Sequence, residues 1–90
     1  MIEIKAEENG VSAYDGEKRV GRCSYRKDGS VITIFHTEVD KAYGGRGIAL
    51  SLLDSIAGEA RKKGYRIVSE CSFVSHALQK HPDKYSDIMA

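Results

Sequence analysis

Three side chains stand where chemistry could occur: Cys71, His36 and Glu38. Cys71 closes a predicted strand and directly precedes a short helical pattern. A thiol beside a helix N-terminus is favoured as the thiolate, the form that attacks a carbonyl. His36 and Glu38 lie two residues apart in the run Val31-Ile32-Thr33-Ile34-Phe35-His36-Thr37-Glu38-Val39, so they share one face of a strand. Either can act as a general base. Each also has a plainer reading. Cys71 can be a small buried hydrophobe, His36 a satisfied core imidazole, and Glu38 a solvated strand-end residue. The other cysteine, Cys23, sits in mid-strand and reads as core.

A second kind of chemistry belongs to the backbone. Between the strand ending at Val39 and a helical pattern starting at Ile48 lies Tyr43-Gly44-Gly45-Arg46-Gly47-Ile48-Ala49. Glycine lets the chain turn through positive φ and lets a ligand approach closely. The first amides of the following helix have no intrahelical partner, and the helix dipole and Arg46 add positive charge. Strand, glycine turn and helix start make a phosphate or diphosphate site. The same glycines would equally serve a tight connection with no ligand. There is no Gly-Lys-Ser/Thr and no third glycine at dinucleotide spacing, which sets aside two common nucleotide motifs.

Ninety residues with a net charge of +1 are expected to form one small domain, 1–90, and no general nucleic-acid binder. No apolar run approaches membrane-spanning length. Two cysteines without metal-site spacing fit reduced thiols, no metal site and a cytoplasmic setting. The alternation of Met1-Ile2-Glu3-Ile4-Lys5 reads as a strand, not a leader.

The elements that must position these groups follow from periodicity. Strands are predicted at Ile2 to Glu7, Val11 to Tyr14, Arg19 to Lys27 and Val31 to Val39, joined by turns at Asn9-Gly10, Asp15-Gly16 and Asp28-Gly29. Short turns imply an antiparallel meander. In the fourth strand, alternation puts Val31, Thr33, Phe35, Thr37 and Val39 on one face, and Ile32, Ile34, His36 and Glu38 on the other. Both faces begin apolar, which predicts a strand covered on both sides. Ile48, Leu52, Ile56 and Ala60 make a helical stripe that stops at Gly64. Tyr65 to Cys71 is a fifth strand, parallel to the fourth after so long a crossover. A short helix capped by Ser72 or Ser75 runs through Ala77 to Gln79 and ends at Pro82. The tail from Asp83 reads as a turn or a ragged end.

This order, with the glycine motif in place, resembles the GCN5-related N-acetyltransferase superfamily. Its acetyl-coenzyme A motif, Arg/Gln-x-x-Gly-x-Gly/Ala, falls on Gly44 to Ala49; Gly47 and Ala49 match, while Gly44 replaces the leading Arg or Gln. His36-Thr37-Glu38-Val39, the glycine turn, Cys71-Ser72-Phe73-Val74 and His81-Pro82 resemble a minimal, single-domain branch of that superfamily. The resemblance implies an α+β fold: four antiparallel strands, a central helix, a fifth strand splayed from the fourth, and a short C-terminal helix. It implies an N-acetyltransferase that takes acetyl-coenzyme A as cofactor and an amine as acceptor. Diphosphate would rest on Gly44, Gly45, Arg46, Gly47, Ile48 and Ala49, and the pantetheine arm along Thr37 and Val39. Transfer would use His36 or Glu38 as base, or pass through Cys71 with His36 as its partner. The alternative is a module that binds acetyl-coenzyme A or a protein partner with little or no turnover. Tyr85 would be either a surface residue or the proton donor to the departing thiolate. The resemblance leaves room for a second copy, as a homodimer, to complete the acceptor site of so short a chain.

Overall fold

Residues that tolerate positive φ make the three hairpin turns: Asn9 (60°), Gly16 (64°) and Gly29 (62°). They join β1 (Ile2–Glu7), β2 (Gly10–Asp15), β3 (Lys18–Asp28) and β4 (Val31–Val39) into an antiparallel meander. The computed structural model describes all residues, Met1–Ala90. After the glycine turn, α1 (Ile48–Lys63) crosses the sheet, and β5 (Arg66–Ser69) returns parallel to β4. The strand order is β1-β2-β3-β4-β5. Then come α2 (Ser72–Lys80), α3 (Pro82–Tyr85) and a 3-10 turn at Ser86–Ile88.

The helical stripe does what its spacing predicts. Ile48, Leu52, Leu53, Ile56, Ala57 and Ala60 are buried, and they join Val11, Ala13, Cys23, Ile32, Ile34 and Ile67 of the sheet. Val74, Ala77 and Leu78 of α2 enter the same cluster. Gly21 lets α1 come close: a Cβ there would lie 3.3 Å from Ile48 Cγ2 and 3.3 Å from the Glu38 carbonyl oxygen.

The helices therefore cover one face of the sheet only. The other face shows Phe35 (44% exposed) and Val68 (37%) to solvent, so β4 is not covered on both sides as its composition predicts. Strict alternation fails as well. Ser24 pairs with His36 but Tyr25 pairs with Ile34, so Phe35 is an extra residue, a β-bulge. One inserted residue reverses the faces beyond it. Thr37 and Val39 thus share the helix side with Ile32 and Ile34, and His36 and Glu38 fall on the bare side. A second shift, between Ala13 and Tyr14, makes Val20 the extra residue of β3; Val20 is buried beside the core.

On the bare side a polar group knits β1 to β3. Ser12, fully buried, donates to Glu7 Oε1 at 2.5 Å. Tyr14 donates to Glu7 Oε2 at 2.5 Å and Arg22 to Oε1 at 2.8 Å. The Ser12 and Tyr14 hydroxyls hold the Glu7 carboxyl below its ordinary range, with Arg22 adding to them.

The tail corrects a second expectation. Pro82 does not merely stop α2; it opens α3 at a position where its missing N–H costs nothing. Tyr85 and Ile88 are buried in the core. The Ala90 amide donates to the Ile67 carbonyl at 3.0 Å, beside a parallel bridge between Ile67 and Met89. The ordered tail thus covers part of the β5 edge, which limits stray strand pairing.

Candidate functional site

The helix-side cleft is framed by the glycine turn. Asp40 caps a 3-10 turn at Lys41–Tyr43, accepting from the Ala42 amide at 2.9 Å. The Tyr43 hydroxyl donates to Asp15 Oδ2 at 2.6 Å and ties the turn to the end of β2. The Arg46 guanidinium lies 5.0 Å from the centre of the Tyr43 ring. Gly47 caps α1 at φ 73°, a left-handed conformation that costs most residues about 1–2 kcal/mol. No side chain caps α1 and its first turn has no acidic residue, so nothing in the protein competes for those amides.

The strand gap lies next to it. Parallel pairing joins Val31–Ile34 to Arg66–Ser69 and ends where the Glu70 amide donates to the Ile34 carbonyl at 2.7 Å. From Phe35 to Val39, β4 has no partner on the β5 side. The bulge that turns the strand also coincides with the end of the pairing. The chain leaves β5 through a turn held by Ser69, whose hydroxyl meets Ser75 Oγ at 2.7 Å and the Cys71 carbonyl at 2.9 Å.

Cys71 caps α2, half-buried at the mouth of the gap. Its Sγ donates to Thr37 Oγ1 at 3.5 Å across the gap, and the same hydroxyl lies 3.4 Å from Cys23 Sγ. Burial works against ionising Cys71. Hydrogen bonding from the Thr37 hydroxyl and from the amides of Val74, Phe73 and Thr37 outweighs it, and the thiol is lowered from its ordinary value. Burial pushes Cys23 the other way, so it stays protonated. Cys71 is thus a partly open thiol ringed by hydrogen-bond donors.

The expected partner is not where alternation puts it. His36 Nε2 lies 3.7 Å from Glu38 Oε2, and both side chains are more than half exposed on the bare face. Cys71 instead meets Thr37, through its side chain. The bulge turns the Thr37 side chain toward the helices, where strict alternation sets it on the face of Phe35. Tyr85 is neither at the surface nor at the gap. It is fully buried, and its hydroxyl donates to Asp54 Oδ1 of α1 at 2.5 Å.

The glycine turn opens into a cavity of about 400 Å³ that reaches Val39 at the end of β4. Val39, Gly44, Gly45, Gly47, Ile48 and Ala49 line one side, and Phe73, His76, Ala77 and Lys80 of α2 the other. All but Arg46 and Thr37 of the expected cofactor residues meet here. The α2 wall was missed, although its i, i+3, i+4, i+7 spacing is a readable helix face.

The comparisons with known proteins agree with this geometry. Residues 10–88 match the family model described as GCN5-related N-acetyl-transferase. A GCN5-like protein from Staphylococcus aureus, solved by NMR and described as a candidate N-acetyltransferase, is similar at 36% identity and a TM-score of 0.80, over 98% of this chain and 87% of that one. A ribosomal-protein-alanine N-acetyltransferase from Escherichia coli shares the fold at 20% identity and a TM-score of 0.65, over 83% of this chain and 52% of that one. Another, from Brucella melitensis biovar Abortus, does so at 22% identity and a TM-score of 0.65, over 90% of this chain and 60% of that one. No curated protein sequence matches significantly. Five strands, a bulged β4 parting from β5, and the glycine turn between β4 and α1 are accounted for together: the chain belongs to the GCN5-related N-acetyltransferase family.

Proposed function

We propose that the protein moves the acetyl group of acetyl-coenzyme A to an amine. The observation that carries this is the Cys71 thiol held by Thr37 in the mouth of the β4–β5 gap, next to an uncapped helix start. Diphosphate fits the amides of Gly45, Gly47, Ile48 and Ala49. The unpaired edge of β4 from Thr37 to Val39 offers backbone groups to the pantetheine amides. That arm then delivers the thioester to the gap.

In the first step the Cys71 thiolate adds to the thioester carbonyl. The tetrahedral intermediate collapses by breaking the carbon–sulfur bond to coenzyme A, which leaves as thiolate and takes up a proton. In the second, a neutral amine attacks acetyl-Cys71, loses a proton and expels the cysteine thiolate. We assign acceptance of that proton to the His36–Glu38 pair, for an amine that enters the gap from the bare face. The same pair is the base if the amine attacks the thioester directly.

Replacement of the motif's leading Arg or Gln by Gly44, with Arg46 stacked on Tyr43, favours a second reading in which the cofactor is held with little turnover. Intact mass after incubation with acetyl-coenzyme A separates the two. One added acetyl group that is absent in Cys71→Ala supports transfer through the cysteine. Transfer to an amine panel without an adduct supports direct attack. Binding with neither supports the holding role, and no binding refutes both.

A further inference from the structure

The α2 wall of the cavity has a composition that the diphosphate does not require. His76 and Lys80, with His81 just beyond the helix, face the glycine turn across the cleft, and none of the 13 lining residues is acidic. None of the three makes a salt bridge: the ion pairs of the molecule all involve other cations. Nor does any of their side chains donate or accept a side-chain hydrogen bond within the protein. One basic residue in a last helical turn is ordinary complement to the dipole. An ammonium and two imidazoles converging on a carboxylate-free cavity is a built anion surface.

The spacing along α2 says which anion. Phe73, His76, Ala77 and Lys80 form one stripe of the helix. Phe73 stands two residues from Cys71, and Lys80 lies seven residues further on, about 10 Å at 1.5 Å per residue. The wall thus runs from apolar near the thiol to cationic at its far end. Coenzyme A has the same polarity, with its thiol at one end and its phosphates at the other. The diphosphate already has the α1 amides. The remaining anion is the ribose 3′-phosphate, a monoester carrying nearly two charges at neutral pH, which a single helix start does not neutralise.

We propose that Lys80, with His76 and His81, forms a second anion site that takes the 3′-phosphate of coenzyme A, so that the protein distinguishes coenzyme A from dephospho-coenzyme A. This rests on the acetyl-coenzyme A reading above. The chemistry shared with the diphosphate is a phosphate oxygen, so the test must tell the two apart.

Isothermal titration with coenzyme A and with dephospho-coenzyme A does so, on wild type and on Lys80→Ala and His76→Ala. All three positions are at the surface or half-buried, so the variants keep their fold, which circular dichroism checks. Wild type is expected to prefer coenzyme A by roughly tenfold or more, the value of one charge-assisted hydrogen bond. Lys80→Ala should lose most of that preference through weaker coenzyme A binding, with dephospho-coenzyme A unaffected. Equal wild-type affinity for the two ligands overturns the proposal while leaving the cofactor reading intact. So does an equal loss for both ligands in Lys80→Ala, which would assign the ammonium to the diphosphate. Failure of both ligands to bind wild type overturns the cofactor reading and this proposal together.

Discussion

Tyr85→Phe separates two roles that the same tyrosine could hold. As a proton donor to departing coenzyme A it would matter to rate; as a core residue it matters to stability. Its ring is fully buried, and its hydroxyl spends its one proton on Asp54 of α1 at 2.5 Å. The substitution keeps the ring and its burial and removes only that bond. Asp54 retains Lys84 Nζ at 3.0 Å and is 40% exposed, so its carboxylate is not stranded. The cost should be about 1–2 kcal/mol. In a domain of this size each kcal/mol moves Tm by about 4–8 °C, so thermal unfolding followed by circular dichroism should show a drop of roughly 4–15 °C. Tyr85→Ala removes the ring as well and should cost about 3–5 kcal/mol. Burial and the Asp54 bond both raise the Tyr85 hydroxyl above its ordinary value. Its stabilising contribution is therefore complete below the ordinary tyrosine range and is lost as pH climbs through the raised folded value. The alkaline limb of the stability profile should flatten in Tyr85→Phe. The rate of acetyl transfer, taken well below both transitions, should stay within about twofold. A fall of about a hundredfold or more, the loss expected for a general acid, would refute the reasoning, because it would place this hydroxyl at the thioester.

Two other perturbations test the two halves of the site. Gly47→Val should abolish acetyl-coenzyme A binding in a calorimetric titration while the far-ultraviolet spectrum remains that of a folded protein; no protein atom stands within 4 Å of the new Cβ, so the side chain meets only what approaches the amides, and the left-handed φ of 73° adds backbone strain of about 1–2 kcal/mol. Unchanged affinity in a folded variant would move the diphosphate elsewhere. Thr37→Val should slow iodoacetamide alkylation of Cys71 at neutral pH and move the pH profile of that reaction upward, since the thiolate loses a hydroxyl donor; Thr37→Ser should stay near wild type, and an unmoved profile in Thr37→Val would remove Thr37 from the account of Cys71.

Local patterns carried much of the fold. The turns, α1 from Ile48 to Lys63 and its stop at Gly64 were readable because propensity, spacing and capping agree there. Pairing of β4 with β5 followed from the length of the crossover. The glycine motif marks the turn before α1 for a backbone reason that sequence expresses directly, since Gly45 and Gly47 take positive φ. The facing of β4 was not readable, because a bulge has no signature in the string Ile34-Phe35-His36. Alternation puts His36 on the face of Ile32 and Ile34, and the extra residue puts Thr37 there instead. The tail was misread for a different reason. Asp83, Lys84, Ser86 and Asp87 dilute its apolar positions, and Tyr85 and Ile88 show their burial only once α1 supplies the surface that receives them. The wall formed by α2 had a legible period, but its partner across the cleft is more than twenty residues away, and periodicity says nothing of what a helix faces.

The bulge at Phe35 has a consequence for what the chain can tolerate. Straightening the strand at constant length would swing Thr37 and Val39 out to water and bring His36 and Glu38 against the oily layer. Deleting Phe35 alone would not, because alternation from Ile34 through His36 then keeps Thr37 toward the helices. Straightening would strip Cys71 of its hydroxyl partner and deprive the interior of two packing side chains. Interior packing and the contact between Thr37 and Cys71 therefore share one backbone irregularity.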